Sequence, residues 1–424
     1  MSSWFEAYKG EISRELENEV LKIALERFSA TYWSKRNAAI KNLPYYNYYR
    51  KRAREIKTWS IEHIDELIKM TKENIESLGG TFYLARNAED AVKHVTKICE
   101  ERNAKLAVKA KSMVTEEISL NEALIKKGIE VVETDLGEWI IQLRNEKPSH
   151  IIYPAIHLTT EEVARTFSKT LNSEVPPDAT KLVRIAREKL REKFVKADIG
   201  ISGANVIAAD TGTVLLIENE GNIRFSTNAP PTHICISGME KIVPTVEDAV
   251  LISRVITPNA TGQLMPVYIS LITGPSRTAD IELKLTLGVH GPKEYHMVLL
   301  DNGRSKMMED PDFKEASYCI RCGACLSDCP VYREIGGIVW SHKYMGGIGA
   351  IWTTFTHGLD KAAPLALTCT TCGRCKAICP MEIDTPTMIL KIREKLLKAG
   401  LTPPQLISIA ENIKTYGNPF GALR

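Results

Sequence analysis

Two twelve-residue runs near the C-terminal end hold eight of the ten cysteines: "CIRCGACLSDCP" at 319–330 and "CTTCGRCKAICP" at 369–380. Both follow C-x2-C-x2-C-x3-C-P, giving Cys319, Cys322, Cys325, Cys329 and Pro330, then Cys369, Cys372, Cys375, Cys379 and Pro380. Glycine follows the second cysteine in each, at Gly323 and Gly373, so the pair is an internal repeat. Three thiolates three residues apart can wrap three corners of an iron–sulfur cubane while backbone amides donate to the sulfurs. The fourth cysteine lies beyond a sharper break and, in two-cluster ferredoxins, ligates the other cluster. Zinc sites use two C-x2-C pairs a dozen or more residues apart, which these runs do not match. The expectation is two [4Fe–4S] clusters. One is held by Cys319, Cys322, Cys325 and Cys379, the other by Cys369, Cys372, Cys375 and Cys329. Every iron then has a protein ligand, so the pair reads as a relay for single electrons. The long spacer between the runs implies a helical domain built around them.

Cysteines this clustered, behind an N-terminus ("MSSWFEAYKGEISREL") with early acids and no apolar run, point to a reducing compartment rather than a disulfide framework. Cys99 and Cys235 stand apart and read as buried core residues. At 424 residues the chain has room for two or three domains. Its 55 basic against 52 acidic residues exclude charge-driven binding to nucleic acid or an anionic membrane. The mixed aromatics and bases of "LPYYNYYRKRAR" (43–54) read as packing tyrosines beside a solvated basic face. The longest uncharged stretch, "YMGGIGAIWTTFTHGL" (344–359), is too short and polar to span a bilayer. The expected location is the cytoplasm, or the periphery of a membrane through partners.

The elements that must position these cysteines follow from periodicity. Residues 1–78 read as a helical segment, with "WSIEHIDELIKMTKENIESLGG" apolar at a near-3.6 period and closed by Gly79 and Gly80. From Thr81, short β-branched runs alternate with helical stretches, which predicts βαβ units and a mostly parallel sheet. "TFYLA", "LAVKA", "EVVETD", "EWIIQL" and "HIIYPA" read as strands, and "EEISLNEALIKKG" and "TTEEVARTFSKTL" as helices. Beyond the helix "ATKLVRIAREKLREKFVKA" the texture becomes strand-rich, with "GISGANVIAADTGTVLLIENEGN" turning at Asp/Gly positions. Residues 79–302 read as one α/β domain, 303–400 as the helical two-cluster domain and 401–424 as a tail.

The order of "KSMVTEEISLNEALIKKGIEVVETDLGEWIIQL", "YPAIHLTTEEVARTF", "GISGANVIAADTGTVLLIENEGN", "ATGQLMPVYISLITGP" and "HMVLLDNGRS" before two cysteine runs resembles the iron–sulfur subunit family of the lactate-utilisation system. The resemblance implies an α/β LUD domain of the methenyltetrahydrofolate synthetase/CoA-transferase-like superfold. It further implies an N-terminal helical segment and a C-terminal α-helical, ferredoxin-like domain with two clusters. The implied activity is oxidation of L-lactate, or a related 2-hydroxy acid, to the 2-oxo acid. The chain would act there as an electron-transferring subunit of an oxidoreductase complex rather than as a complete enzyme. The implied partners are a subunit with cysteine-rich CCG domains and a smaller LUD-domain subunit, in a hetero-oligomer. Relatives of this family usually continue further, and the ending "NIKTYGNPFGALR" resembles the tail of heterodisulfide-reductase-C-like subunits. A partner-docking tail is expected there, and thiol/disulfide electron transfer is the alternative function.

In the α/β half the candidate site is "ADTGTVLLIENEGN", with Asp210, Thr211, Gly212, Glu218, Asn219, Glu220 and Asn222. Carboxylates and amides at strand-to-turn junctions suit a small polar ligand or acid–base work, and equally suit simple turn geometry. The related superfold uses a glutamate near such a strand, which makes Glu218 and Glu220 the catalytic candidates by analogy of fold. Lys109, Lys111 and Ser112, after one strand, and His157, before a helix start, are candidates to line a 2-hydroxy-acid pocket at the strand ends. No GxGxxG follows a strand and nothing marks a flavin, so neither an NAD nor a flavin site is expected.

Overall fold

Short polar residues ahead of apolar-periodic runs start the helices. Asn87 accepts from the Asp90 amide, Asp135 from Glu138 and Asp178 from Lys181, while Thr159 and Glu162 form a reciprocal capping box. The computed structural model describes residues 3–422. Twelve strands appear among them: β1 (Thr81–Ala85), β2 (Leu106–Lys109), β3 (Glu130–Glu133), β4 (Ile199–Ser202), β5 (Val206–Ala208), β6 (Thr213–Glu218), β7 (Thr232–Gly238), β8 (Ile242–Val243), β9 (Tyr268–Ile272), β10 (Arg277–Thr278), β11 (Thr286–Leu287) and β12 (Glu294–Leu300).

Six strands form one parallel sheet in the order β1-β12-β7-β4-β2-β3. Its central strands are buried on both faces, as a parallel sheet covered by helices must be. Alternate residues of β2 serve opposite cores. Ala107 packs with Ala91, Val95 and Leu124, whereas Leu106 and Val108 pack with Trp139, Phe167 and Leu190. A second sheet, β8-β5-β6-β9, turns between β5 and β6 at Asp210–Gly212, where Gly212 takes φ 64°.

The fold is thus an α/β parallel-sheet domain with a helical N-terminus and a helical C-terminal part. The N-terminal helices, Ser3–Leu16, Glu19–Asn42, Tyr46–Glu62 and Ile64–Ser77, clamp the two halves together. Tyr32 and Arg36 bond to Asn259 on the sheet domain, at 2.8 and 3.0 Å. Trp33 bonds to Asp328, and Arg36 to the Ile378 carbonyl, on the cysteine side. No helix among the described residues is long and apolar enough to cross a membrane.

The structure departs from the sequence reading at four places. "EWIIQL" lies in the helix Leu136–Arg144, because the Asp135 cap and a left-handed Asn145 bracket two turns. "HIIYPA" is irregular and held by His150, whose Nδ1 accepts from the amides of Ile152 and Tyr153. "EEISLNEALIKKG" breaks at left-handed Ser119 into Met113–Glu117 and Leu120–Lys126. The helix read from Trp59 onward breaks at His63.

Candidate functional site

Each cysteine run winds through the same backbone shape. Arg321 and Gly323 have φ 60° and 76°, and Thr371 and Gly373 have φ 51° and 82°. A threonine in the left-handed region is strained, and its amide faces the Cys369 Sγ at 3.4 Å. Backbone amides also face four of the other sulfurs: Ala324 toward Cys322, Val331 and Tyr332 toward Cys329, Lys376 toward Cys375, and Met381, Glu382 and Ile383 toward Cys379. Amide donors aimed at sulfur fit thiolate ligands of an iron–sulfur cluster. Burial pushes the Cys322, Cys329 and Cys375 thiols up to about 12, with neighbouring thiols adding to the effect at each. A coordinated metal reverses this, since it deprotonates the thiol outright.

The eight sulfurs fall into two adjoining cavities. Cys319, Cys322, Cys325 and Cys379 line one, and Cys329, Cys369 and Cys372 line the other, with Cys325 and Cys375 lining both. Among the described residues no three cysteine, histidine or carboxylate groups converge on a point that would hold one metal ion. A single zinc needs such convergence, whereas a cubane spreads its ligands over four iron corners. The donor set fits the cluster. The first run is mostly buried, and the second lies at the surface, with Cys372 exposed.

A buried charge cluster joins the first run to the carboxyl ends of the sheet strands. Arg304, just beyond β12, holds Glu117 through Nη1 at 2.9 Å and Nη2 at 2.8 Å, and Glu240 through Nε at 2.6 Å. All three side chains are fully buried. Gly238 leaves room for this pair, since a Cβ there would lie 2.0 Å from the Glu240 Oε2. Burial disfavours the Glu240 carboxylate, but Arg304, Arg321 and Lys241 outweigh it and hold the pKa down at about 2. Arg321 sits 3.5 Å from Glu240 and stacks 3.8 Å from the Trp352 ring centroid. Tyr344 donates to Glu117, and Asn302 does so at 2.6 Å.

Beside this cluster, at the carboxyl ends of β2, β3, β4 and β7, lies a cavity of about 590 Å³. Open α/β sheets bind ligands at that edge. Met113, Ile151, Arg321 and Tyr344 line both this cavity and the first cysteine cavity, so the two share a wall. Glu220 stands exposed at the rim of the cavity and accepts from the Leu136 amide at 3.2 Å; partial desolvation by the surrounding walls, reinforced by Asp135, pushes its carboxyl up to about 7. Glu218 is occupied as a helix cap, accepting from the amides of Ile223 at 2.8 Å and Arg224 at 3.2 Å. Asn219 braces the 261–267 loop through Gln263 and Val267. Lys111 lies 3.3 Å from Glu138, whose carboxyl burial raises to about 7 against the pull of Lys111.

Of the residues singled out in the α/β half, the structure brings Lys111, Ser112, Glu218, Asn219, Glu220 and Asn222 into this one cavity. Lys109 faces away into a buried ion pair with Glu133 at 2.7 Å, because alternate residues of a strand point to opposite sides. His157 sits in a different depression beside Glu146, at 3.4 Å. Asp210, Thr211 and Gly212 form the far turn of the second sheet, pressed against Asn74 and Ile75. The sequence reading missed Lys241, Glu240, Arg304, Glu117, Tyr344 and Arg321. Arg321 carried a readable signal, since Ile320-Arg321 in the first run stands where the second has Thr370-Thr371.

Two families match this chain: one described as LUD domain over residues 68–300, and one described as 4Fe-4S dicluster domain over residues 315–383. "Lactate utilization protein B" of Oceanobacillus iheyensis is 37% identical over 411 residues, covering 97% of this chain and 83% of that protein. The protein of the same name from Bacillus subtilis is 38% identical over 414 residues, covering 97% and 84%. "Uncharacterized electron transport protein YkgF" of Escherichia coli is 35% identical over 395 residues, covering 93% and 81%. A crystal structure of a duf162 family protein from Deinococcus radiodurans has 15% identity and a TM-score of 0.31, covering 56% of this chain and 98% of that one.

Proposed function

This chain belongs to the LUD-domain family, among the proteins called Lactate utilization protein B, and from that membership we propose that it is the electron-relaying subunit of a complex oxidising L-lactate, or a related 2-hydroxy acid, to the 2-oxo acid. Its 4Fe-4S dicluster domain is assigned two clusters, on Cys319, Cys322, Cys325 and Cys379 and on Cys369, Cys372, Cys375 and Cys329. The clusters supply one-electron transfer over a wide range of potentials. The observation that carries the reading is the chain of shared walls. The large cavity adjoins the first cysteine cavity, which adjoins the second, which reaches the surface at Cys372. A path from a bound substrate to an external partner needs that order.

Oxidation of a 2-hydroxy acid releases two electrons and two protons and breaks the C–H as well as the O–H bond. The clusters take single electrons, so the hydride is assigned to a two-electron acceptor on a partner subunit, which passes the electrons on to the clusters one at a time. Glu220, with its carboxyl near neutral pH, suits acceptance of the hydroxyl proton. Ile151, Ile152 and Ile156 add apolar surface to the cavity wall. The proposed partners are a cysteine-rich CCG subunit and a smaller LUD subunit. Their docking surface is assigned to the second run and the tail, where the helix Pro404–Tyr416 exposes Ile409 and Ile413 and the chain continues to exposed Phe420. That exposed tail also favours the second reading, electron transfer to thiols and disulfides.

The test is to add L-lactate, D-lactate or glycolate anaerobically to the complex purified with its partners and follow the cluster absorbance. Bleaching by one acid is the expected result. If none bleaches clusters that dithionite still reduces, the lactate reading fails and the disulfide reading takes its place.

A further inference from the structure

The wall between the large cavity and the first cysteine cavity carries more positive charge than its protein partners balance. Arg304 is matched by the bidentate Glu117 and by Glu240. Glu240 is then shared among Arg304, Arg321 and the neighbouring Lys241. Lys241 is 7% exposed, lines the large cavity, and makes no hydrogen bond or ion pair to any described residue. Arg321 lines the same cavity, and its buried Nη2 makes no hydrogen bond, only the 3.5 Å ion pair with Glu240. Lys241 adds a positive charge that Glu240, already held by two arginines, does not neutralise, and an anion entering the cavity can reach it. Glu240, which also lines the cavity, is held by Arg304 and Arg321; the other acids of the lining, Glu218, Glu220 and Asp135, lie by the helix starts near 136 and 222 and would repel a second negative group.

We propose that Lys241 and Arg321 form the carboxylate-binding end of this cavity, which takes a monoanionic organic acid whose neutral remainder points toward Glu220. The inference deepens the reading of the cavity as a substrate site and adds a consequence. The bound carboxylate lies against the residues that wall the first cysteine cavity. Carboxylate and added electron therefore repel, and each weakens the other by the same factor. A tenfold weaker hold on the reduced protein lowers the midpoint potential of the neighbouring centre by about 59 mV at saturation.

The experiment uses the full chain, loaded with iron and sulfide under anaerobic conditions and without partners. Oxamate, 2-oxo-4-phenylbutanoate and inorganic phosphate are titrated separately by calorimetry, and each is repeated on Lys241→Met and Lys241→Gln at equal iron content. The expected result is binding of a carboxylate that weakens at least tenfold in both variants. Which of the two acids binds reports how much of the cavity the ligand fills. Binding of phosphate alone overturns the assignment to a carboxylate, and so does binding unchanged in the variants. Should both variants fail to load iron, redox titration of the parent decides. A midpoint that falls on adding saturating oxamate or the larger acid supports the site, and a midpoint unmoved by both overturns it. These acids are not oxidised, so the site can stand even if lactate fails to bleach the complex, and can fail even if lactate succeeds.

Discussion

Replacing Arg304 by methionine tests whether the buried charge cluster is what fastens the cysteine domain to the sheet. The arginine makes three bonds of 2.6–2.9 Å to two carboxylates, and all three side chains are fully buried. Its loss leaves Glu117 with Asn302 and Tyr344, and Glu240 with Arg321 at 3.5 Å. Stranding one partner of a buried pair costs about 3–5 kcal/mol. At roughly 2.1 cal/mol/K per residue, a chain of 424 residues unfolds with an entropy near 0.9 kcal/mol/K. The expected fall in Tm is therefore about 3–6 °C. Far-UV circular dichroism of the iron-loaded chain reads this directly, with cluster absorbance followed in parallel. The double variant Glu117→Gln/Arg304→Met should recover part of the loss, because one stranded charge is gone. A Tm within about 1 °C of the parent would refute the reasoning, and so would a double variant less stable than Arg304→Met.

Three further outcomes are expected. Cys379→Ala should remove the cluster of the first run, about half of the iron, and leave the other spectrum in place. Loss of the second cluster instead would contradict the crossed ligation. In the complex, kcat/KM for the 2-hydroxy acid should rise with pH through about 7 as Glu220 ionises, and Glu220→Gln should abolish that limb; a limb that persists removes Glu220 as the base. His233 is fully buried, and burial, reinforced by His296, lowers its pKa to about 3 from 6.5. Below pH 6.5 the unfolded chain therefore binds the proton first, and stability drains as pH falls toward 3. The loss reaches about 2 kcal/mol by pH 5. His150 is as buried and its pKa as far lowered, to about 3. His233→Gln should therefore reduce the slope of Tm against pH between 6.5 and 5 by roughly its share of the two, and an unchanged slope would remove His233 as a source.

Some of this protein was legible in sequence because the information is local. Each cysteine run is twelve residues long, and its spacing alone specifies the chemistry. The strands β1, β2 and β3 announced themselves as short apolar runs, and Gly79 and Gly80 marked the end of a helix. "EWIIQL" misled because three adjacent apolar residues, Trp139, Ile140 and Ile141, resemble a buried strand as much as a short buried helix. The charge cluster was invisible for another reason. Arg304 meets Glu240 and Glu117 across 64 and 187 residues of sequence, and only the sheet topology brings them together. Asp210 and Glu220 look alike in one sequence stretch, yet β6 carries them to opposite ends of a strand. Periodicity shows which residues face the core, but not which end of a strand becomes the site.

The most direct test of the relay is electron paramagnetic resonance of the full chain, loaded with iron anaerobically and reduced by dithionite. Two clusters whose cavities share Cys325 and Cys375 should give about two spins per chain with a spectrum broadened by their mutual interaction. A single unbroadened signal, or a chain that binds zinc and shows no signal, would contradict the account.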